Sequence, residues 1–346
     1  MASVKCSNCR ANLLVPSGVS SVKCPWCHHT SFPLAPVASQ YNGYGNNYHP
    51  MGFGNGYYRR PSFPTYQPSP PSAYGRKRAV LIGINYHYQQ KTLKGSVNDV
   101  RMMTYLLANR FGFPNESILV LTEEGDPYRM PTKYNIQMAL RWLVQGCQSG
   151  DSLVFFYSGH GSQVPDRDGD ESDGLDEALC PVDYQTEGMI LDDEINATIV
   201  RPLPHGVQLH AIIDTCKSGT FLDLPFMCSM NQAGYYEWED HRISPAYKGT
   251  SGGTAFCFSA CHDFETSIDT TALTSGVATG AMTHGFVEAV QNGSGLTYGR
   301  LLQSLRSKII EAQKRLFGPY AHTWPAQVPQ LSSTEKFDIH LKLFVL

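Results

Sequence analysis

Two short apolar runs, each ending in small polar residues around a reactive side chain, constrain the fold most strongly. Residues 152–161 read SLVFFYSGHG, and residues 208–219 read QLHAIIDTCKSG. Both runs are too short for a buried helix and are typical of central strands in a parallel sheet. Because ligands bind beyond the carboxyl ends of such strands, the sequence predicts that His160 and Cys216 emerge side by side in one crevice.

A cysteine and a histidine in one crevice indicate nucleophilic catalysis. The thiolate is the reactive form of cysteine, and a partly exposed strand end beside a base lowers the pKa of the thiol. We predict that Cys216 attacks a scissile carbonyl and that His160 manages the proton, mainly by protonating the leaving amine. The backbone N–H groups of Gly161 and Cys216 are placed to form an oxyanion hole. The sequence indicates no third orienting residue.

The chain of 346 residues can bury one large core and carry one appendage. No run reaches the roughly 18 apolar residues of a membrane span, and the N-terminus lacks the apolar region of a signal peptide. We therefore expect a protein of the cytoplasm or nucleus, without a membrane span. Its 10 cysteines then suit metal binding, catalysis and burial better than disulfides.

Charge divides sharply along the chain. Residues 1–78 contain eight Lys or Arg and no Asp or Glu, a net charge of +8, which leaves 19 basic against 30 acidic residues, a net charge of −11, in the remainder. The basic arm could contact nucleic acid or a membrane, but at this charge density a solvated linker is the favoured interpretation.

Residues 1–32 contain two C-x2-C pairs separated by fourteen residues. Four thiolates at this spacing can complete a tetrahedral zinc shell, and so short a segment has almost no core to fold around otherwise. The sequence therefore predicts a small zinc ribbon with structural Zn²⁺. The predicted ligands are Cys6, Cys9, Cys24 and Cys27.

The next segment, residues 33–75, is rich in Pro, Gly, Tyr, Asn and Ser. Such a composition cannot bury enough apolar area to offset the entropy of ordering, so we predict a disordered linker.

From residue 76 onward, apolar runs alternate with helical patterns, which predicts a doubly wound α/β sandwich. Strands are expected from residue 78, over 117–122 and over 254–260, and helices from Ser96, over 134–147, 276–290 and 298–316. Residues 221–253 show no clear periodicity and are interpreted as a long surface loop. An alternating strand around residues 337–344 is expected to close the domain.

Two carboxylates near the predicted crevice indicate the substrate. Asp214 precedes Cys216 by two residues, and Asp99 lies in the first turn of the helix that follows the first strand. Negative charges there would bind a cationic side chain, which implies cleavage after Arg or Lys. Asp99 has a second interpretation, as part of a Ser96-x-x-Asp99 helix cap, and both roles can hold at once.

Residues 166–177, DRDGDESDGLDE, contain seven carboxylates and one Arg. Such dense like charge repels unless a hard cation neutralises it, although a solvated acidic loop would share the composition. An EF-hand is rejected, because Glu171 occupies the step that requires Gly and no exiting helix is evident.

The motifs YSGHG (157–161), DTCKSG (214–219) and SACHD (259–263) resemble those of the metacaspases. The Cys6–Cys27 segment is similar to the zinc finger named for plant lesion-simulating-disease proteins, so the chain resembles a plant type I metacaspase throughout. This resemblance implies a caspase-like fold, with a large-subunit-like part (76–224), a loop (225–253) and a small-subunit-like part (254–346). It also implies that Ser158 lines the S1 pocket with Asp99 and Asp214. It implies calcium ligation by Asp176, Asp192, Asp193 and Asp223.

These observations predict a calcium-dependent cysteine endopeptidase that cleaves protein substrates after Arg or Lys, and the resemblance implies a role in stress responses and programmed cell death. Self-cleavage is expected at Arg242 or Lys248, or near Arg59 and Arg60. We expect a monomer whose finger binds regulatory proteins. The alternative is a zinc-finger scaffold with an inactive peptidase domain. Nucleic-acid binding ranks last, because no recognition helix is evident.

Overall fold

The computed structural model describes two compact units, Met1–Pro64 and Thr65–Leu346. In the first unit it describes residues 2–5, 12–15, 22–23 and 30–31. From residue 76 onward it describes all residues except 88, 125, 168, 170, 172–173, 216–219, 231–234, 243–247, 261–268, 271–276, 294 and 319–327. The predicted zinc ligands Cys6, Cys9, Cys24 and Cys27, the predicted linker 33–75 and the predicted nucleophile Cys216 lie outside the described residues.

The first unit contains two short antiparallel ladders. Strand β1 (Ala2–Lys5) pairs with β2 (Asn12–Val15), and β3 (Val22–Lys23) pairs with β4 (Thr30–Ser31). In sequence, each C-x2-C pair falls between the two strands of one ladder.

The described strands of the second unit form an eight-stranded sheet in the order β13-β12-β17-β14-β11-β7-β5-β6. Five strands are parallel: β5 (Lys77–Gly83), β6 (Ile118–Thr122), β7 (Ser152–Ser158), β11 (Gln208–Asp214) and β14 (Thr254–Ser259). Three antiparallel strands extend one edge: β12 (Phe226–Met230), β13 (Tyr236–Asp240) and β17 (Gln330–Ser333). The two apolar runs that end near His160 and Cys216 are therefore adjacent central strands, as predicted.

Helices cover both faces of the sheet. On one face α1 (Ser96–Phe111), α5 (Ala281–Asn292) and α6 (Tyr298–Phe317) pack over one core, and on the other α2 (Lys133–Val144) packs over a second. Successive residues of β5 point into alternate cores, Ala79 and Leu81 into the first and Val80 and Ile82 into the second. Burial on both faces explains the continuous apolar runs. The predicted doubly wound α/β sandwich is confirmed.

Smaller elements surround the carboxyl ends of the central strands. Strands β8 (Gly161–Pro165), β9 (Leu175–Leu179) and β10 (Ile190–Leu191) form an antiparallel sheet. Helix α3 (Tyr184–Glu187) lies before β10, and α4 (Asp192–Ile195) continues into a π-helical turn, Asn196–Val200. Strand β15 (Asp269–Thr270) pairs with β16 (Thr279–Gly280), immediately before α5.

Two expectations about the C-terminal half are wrong. Residues 221–253 contain the β12–β13 hairpin at the sheet edge rather than an uninterrupted loop. In β13 the half-buried Tyr236 and Trp238 alternate with the exposed Glu237 and Glu239, a period-2 signal too short to stand out.

Residues 337–344 form turns instead of a closing strand, and β17 takes that place in the sheet. Phe337 and Phe344 pack on Tyr298, with ring centroids 5.0 and 5.5 Å apart, whereas Leu341 and Leu343 are exposed, so the apolar alternation here does not mark a buried strand face. Helix α2 also ends earlier than expected, at Val144, because the chain turns at Gly146, whose φ is +62°. Among the helices that the structure describes, none combines the length and apolarity needed to cross a bilayer.

Candidate active site

His160 lies where two adjacent central strands end together. Ser158, the last residue of β7, is in register with Asp214, the last residue of β11. His160 follows Ser158 by two residues, and Cys216 follows Asp214 by two residues in the sequence. The two strands therefore end at the same edge of the sheet.

The imidazole of His160 is half-buried and held on two sides. The ring of Tyr86 stacks on it, with centroids 4.4 Å apart, and Nε2 lies 2.8 Å from the carbonyl oxygen of Lys91. Because a carbonyl can only accept, Nε2 is assigned as the donor, which leaves Nδ1 as the second nitrogen available for proton transfer. The Lys91 carbonyl is thus the orienting group that sequence reasoning did not find, since a backbone acceptor has no residue-type signal.

Gly161, the predicted oxyanion-hole residue, begins β8 and lies opposite Leu179. The preceding carbonyl, that of His160, accepts the N–H of Cys180 at 3.1 Å. This pairing ties the histidine turn to the small sheet.

The three predicted S1 residues are buried at the carboxyl end of the sheet. Ser158 Oγ donates to Asp99 Oδ2 at 2.8 Å, so these two are in direct contact. Asp214 lies beside Ser158 in the register of the two strands. The structure therefore brings Asp99, Ser158 and Asp214 to one place.

The start of helix α5 donates to both carboxylates. The Gly280 N–H lies 3.0 and 3.1 Å from the two oxygens of Asp99. The Thr283 N–H and hydroxyl donate to Asp214 Oδ2 at 2.9 and 2.7 Å. A Cβ at position 280 would lie 2.1 Å from Asp214 Oδ2, so only glycine allows this approach. Neither Gly280 nor Thr283 was identified from the sequence, because both are more than sixty positions from their partners.

The helix-cap interpretation of Asp99 is not supported. Gly95 precedes α1 and offers no side-chain cap, and the Val97 N–H in the first turn donates to the side-chain oxygen of Asn85 at 3.3 Å. The Asp99 carboxylate instead contacts Ser158 and Gly280, although its place in the first turn still suits the positive end of the helix dipole.

A second group of carboxylates lies around β9 and α4. Asp192 accepts the N–H of Glu177 at 2.9 Å and that of Asp193 at 3.0 Å. Its pKa is raised, first by burial and then by the charges of Asp223 and Glu177. Asp176 is buried in β9 next to Glu177. We call Glu171, Asp176, Glu177, Asp192, Asp193 and Asp223 the acidic cluster.

Lys248 places a positive charge in the acidic cluster. Its ammonium lies 2.5 Å from Glu171 and 3.4 Å from Asp223, and all three side chains are at most 9% exposed. Burial and a hydrogen bond with Glu171 raise the pKa of Asp223, while the Lys248 charge lowers it. Asp223 also has a positive φ of 49°, which aspartate tolerates better than most residues.

The donor chemistry of the acidic cluster fits a hard cation, since its buried carboxylate oxygens are the ligands that such a cation prefers, and neighbouring carboxylates raise the pKa of Asp192 and Asp223. However, within the described part of the chain no three His, Cys, Asp or Glu side chains stand in an arrangement that could hold a metal ion. The four predicted calcium ligands belong to the acidic cluster, but among the described residues they do not form a coordination shell. Glu171 and Lys248 were not predicted as members, because the sequence separates them by 77 positions.

Comparison with known proteins identifies the family. Residues 77–225 match the model "Metacaspase, peptidase C14 domain", and residues 6–29 match "LSD1 zinc finger". The chain is 48% identical to Metacaspase-1 of Arabidopsis thaliana over 99% of this chain and 96% of that protein. It is 56% identical to Metacaspase-3 of the same plant over 80% of this chain and 77% of the relative.

The chain therefore belongs to the metacaspases, cysteine-type endopeptidases of peptidase family C14, and carries an N-terminal zinc finger of the LSD1 type. The resemblance to plant type I metacaspases is confirmed, as is the mixed α/β architecture of the second unit. A solved structure from Geobacter sulfurreducens shares the fold, with a TM-score of 0.52 at 20% identity over 78% of this chain and 97% of that one.

Proposed function

We propose that this metacaspase cleaves polypeptides after Arg or Lys, with Cys216 as the nucleophile and His160 as the proton carrier, and that calcium controls the reaction. The observation that supports it most is the pairing of Ser158 with Asp214 in the register of the two central strands, two residues before His160 and Cys216. This register supports the proposal, because segments that follow paired parallel strands leave the sheet at the same edge.

In the proposed reaction the Cys216 thiolate attacks the scissile carbonyl, and the N–H groups of Gly161 and Cys216 stabilise the oxyanion. His160 then gives a proton to the leaving amine, and water hydrolyses the acyl-enzyme. With Nε2 held by the Lys91 carbonyl, Nδ1 is the nitrogen that exchanges the proton.

The preference for Arg or Lys follows from the charge at the strand ends. The hydrogen-bond donors to Asp99 and Asp214 include neutral groups, namely a hydroxyl and the amides at the start of α5. Neutral donors stabilise the ionised form of a carboxylate without cancelling its charge, so the pair attracts a cationic side chain.

Fluorogenic peptides test this proposal. An Arg peptide should be hydrolysed with calcium, and an otherwise identical Asp peptide should not. Cys216→Ala and His160→Ala should each abolish turnover. No hydrolysis of either peptide at any calcium concentration would favour the alternative, a zinc-finger scaffold with an inactive peptidase domain.

The resemblance assigns calcium to Asp176, Asp192, Asp193 and Asp223, and the raised pKa values of Asp192 and Asp223 support a cation there. Calcium, when bound, would supply positive charge to buried carboxylates that now repel one another. In this structure the Lys248 ammonium contacts two members of the acidic cluster. We expect it to compete with calcium, so that calcium binding frees the segment around Lys248.

Self-cleavage follows from the same competition. Of the two basic residues offered by segment 221–253, Arg242 is ion-paired with Asp240 at the surface, whereas Lys248 is buried in the acidic cluster. Lys248 can enter an Arg/Lys-specific site only after it leaves that cluster.

Mass spectrometry of the termini tests this route. With calcium, a new terminus after Lys248 should appear in wild type and be absent in Lys248→Met. Cleavage near Arg59 and Arg60 should persist in that variant. A Lys248 terminus formed equally fast in the presence of a calcium chelator would contradict the competition.

For the finger, we propose structural Zn²⁺ held by Cys6, Cys9, Cys24 and Cys27 and a regulatory protein partner. The match to the LSD1 zinc finger and the cysteine spacing support this assignment. Elemental analysis should give one zinc per chain, and Cys24→Ser should remove it.

A further inference from the structure

We propose that Tyr86 is a positioning residue for His160 and that Glu123 holds Tyr86 in the backbone conformation that this role requires. The role depends on the proton transfer proposed above for His160. Neither residue is among the predicted site residues. Tyr86 follows β5, and Glu123 follows β6.

The backbone of Tyr86 is unusual. Its φ is +55°, and its side chain is completely buried. A bulky residue with positive φ is an outlier, and such conformations persist only where the surroundings impose them, often at functional sites.

Glu123 imposes this conformation. Its carboxylate accepts three consecutive backbone N–H groups, those of Asn85 at 2.5 Å, Tyr86 at 2.8 Å and His87 at 3.1 Å. Successive amides that converge in this way form an anion-binding nest, and here the anion is a side chain of the protein itself. The turn after β5 is therefore fixed to the turn after β6.

The Tyr86 hydroxyl fixes the backbone at His160. It accepts the His160 N–H at 2.9 Å and donates to the Cys180 carbonyl at 2.6 Å. It also lies 3.1 Å from the Tyr157 hydroxyl, which donates to the His160 carbonyl at 2.9 Å. Two tyrosines thus hold both polar groups of the histidine backbone. Burial raises the pKa of each, so both hydroxyls keep their protons.

The Tyr86 ring fixes the imidazole itself. It stacks on His160 at 4.4 Å with an interplanar angle of 28°. This stacking limits rotation of the imidazole. The loop that begins at Tyr86 also supplies the Lys91 carbonyl for Nε2. One loop therefore sets the orientation of the proposed proton carrier.

Two substitutions separate the hydroxyl from the ring. Tyr86→Phe keeps the ring and removes the hydroxyl, so kcat should fall about 10-fold with KM within about twofold of wild type, because a positioned proton donor acts on the chemical step. Tyr86→Leu removes the ring as well. Its kcat should fall further than that of Tyr86→Phe, again with KM within about twofold of wild type, because the imidazole also loses the ring that stacks on it.

Tyr298→Phe is the matched control. Tyr298 is also fully buried, and its hydroxyl lies 2.6 Å from Nε2 of another histidine, His210, but it packs in the core on the other face of the sheet. This substitution should lower the melting temperature without changing kcat or KM. Glu123→Gln keeps the side-chain size but weakens the hydrogen bonds to the three backbone amides. It should therefore also lower kcat, as Tyr86→Phe does.

Wild-type kcat in both Tyr86 variants, with His160→Ala inactive, would overturn the positioning role and leave the proposed function intact. Full activity of His160→Ala would instead overturn the proposed function.

Discussion

Two groups of buried carboxylates lie near the carboxyl ends of the central strands, and their charge is compensated differently. Asp99 and Asp214 receive hydrogen bonds from a serine hydroxyl and from the first residues of α5. In the acidic cluster, Asp192 and Asp223 are buried beside other carboxylates, and Lys248 contributes a full positive charge.

This difference bears on what each group can bind. Neutral donors let a buried carboxylate stay ionised while its charge still attracts a substrate cation. Crowded carboxylates need a nearby cation to stay ionised, because burial and mutual repulsion both favour the protonated form. The first arrangement suits a specificity pocket and the second an exchangeable ion. Substitutions in each group can test whether the two groups have these different roles.

The largest effect is expected at Asp214. Asp214→Asn keeps the shape and removes the charge, so kcat/KM for an Arg peptide should fall by about 10²–10³-fold, as expected when one partner of a buried charge pair is lost. Steady-state kinetics with Arg and norleucine peptides measure this, since the neutral peptide should be affected far less.

Asp240→Asn is the control for Asp214→Asn. It makes the same chemical change in an exposed carboxylate that pairs with Arg242, and it should leave kcat/KM within about twofold of wild type, since exposed ion pairs contribute little. An equal loss for Arg and norleucine peptides in Asp214→Asn would mean that Asp214 supports the fold rather than charge selection.

The sequence carried enough information to predict this pocket in outline. Strands β7 and β11 were evident because burial on both faces makes them continuously apolar, and their parallel pairing explains why Ser158 and Asp214 meet. The contribution of α5 was not predictable. Gly280 contacts Asp99 across 181 positions, and no local pattern encodes so distant a hydrogen bond.

The sequence carried less information about the surroundings of His160 and about the acidic cluster. The contact from Lys91 is made by a backbone carbonyl, which any residue could provide. In the sequence Tyr86 looks like the end of an apolar strand. Its positive φ, which marks it as unusual, is seen only in the structure. The acidic loop suggested a cation, but the partner found in the structure, Lys248, comes from a segment interpreted as a featureless loop.

His210 shows a third way to bury an ionisable group, which is to keep it uncharged. It is fully buried among Phe256, Tyr298 and Phe344, and burial lowers its pKa to about 3. The unfolded chain gains a proton as pH falls through about 6.5, and the folded chain does not until about 3. Stability is therefore complete above pH 6.5 and is lost progressively as pH falls between these values.

When the pH is lowered from 7 to 5, protonation of His210 in the unfolded chain should reduce the free energy of unfolding by about 2 kcal/mol. Urea unfolding at both pH values measures this, and His210→Gln should remove that part of the pH dependence. His205→Gln, at an exposed histidine, is the matched control for loss of an imidazole. Identical pH dependence in wild type and His210→Gln would show that another group controls acid stability.

The smallest effect is expected at Lys248, where the two groups of carboxylates differ most directly. In a Cys216→Ala background, which prevents self-cleavage, Lys248→Met should bind calcium about 10-fold more tightly, because losing an internal competitor worth about 1.4 kcal/mol changes the dissociation constant tenfold. Without calcium the same variant should melt at a lower temperature than its parent, because Glu171 and Asp223 lose a buried cation. Calorimetric titration and thermal melts measure the two effects.

Lys308→Met removes a lysine paired with Glu288 and Glu311 at the surface of α6 and controls for net charge. If both variants bound calcium with equal affinity, Lys248 would serve only to form structural ion pairs with Glu171 and Asp223. The acidic cluster would then have a permanent partner, as the Asp99–Asp214 pair does.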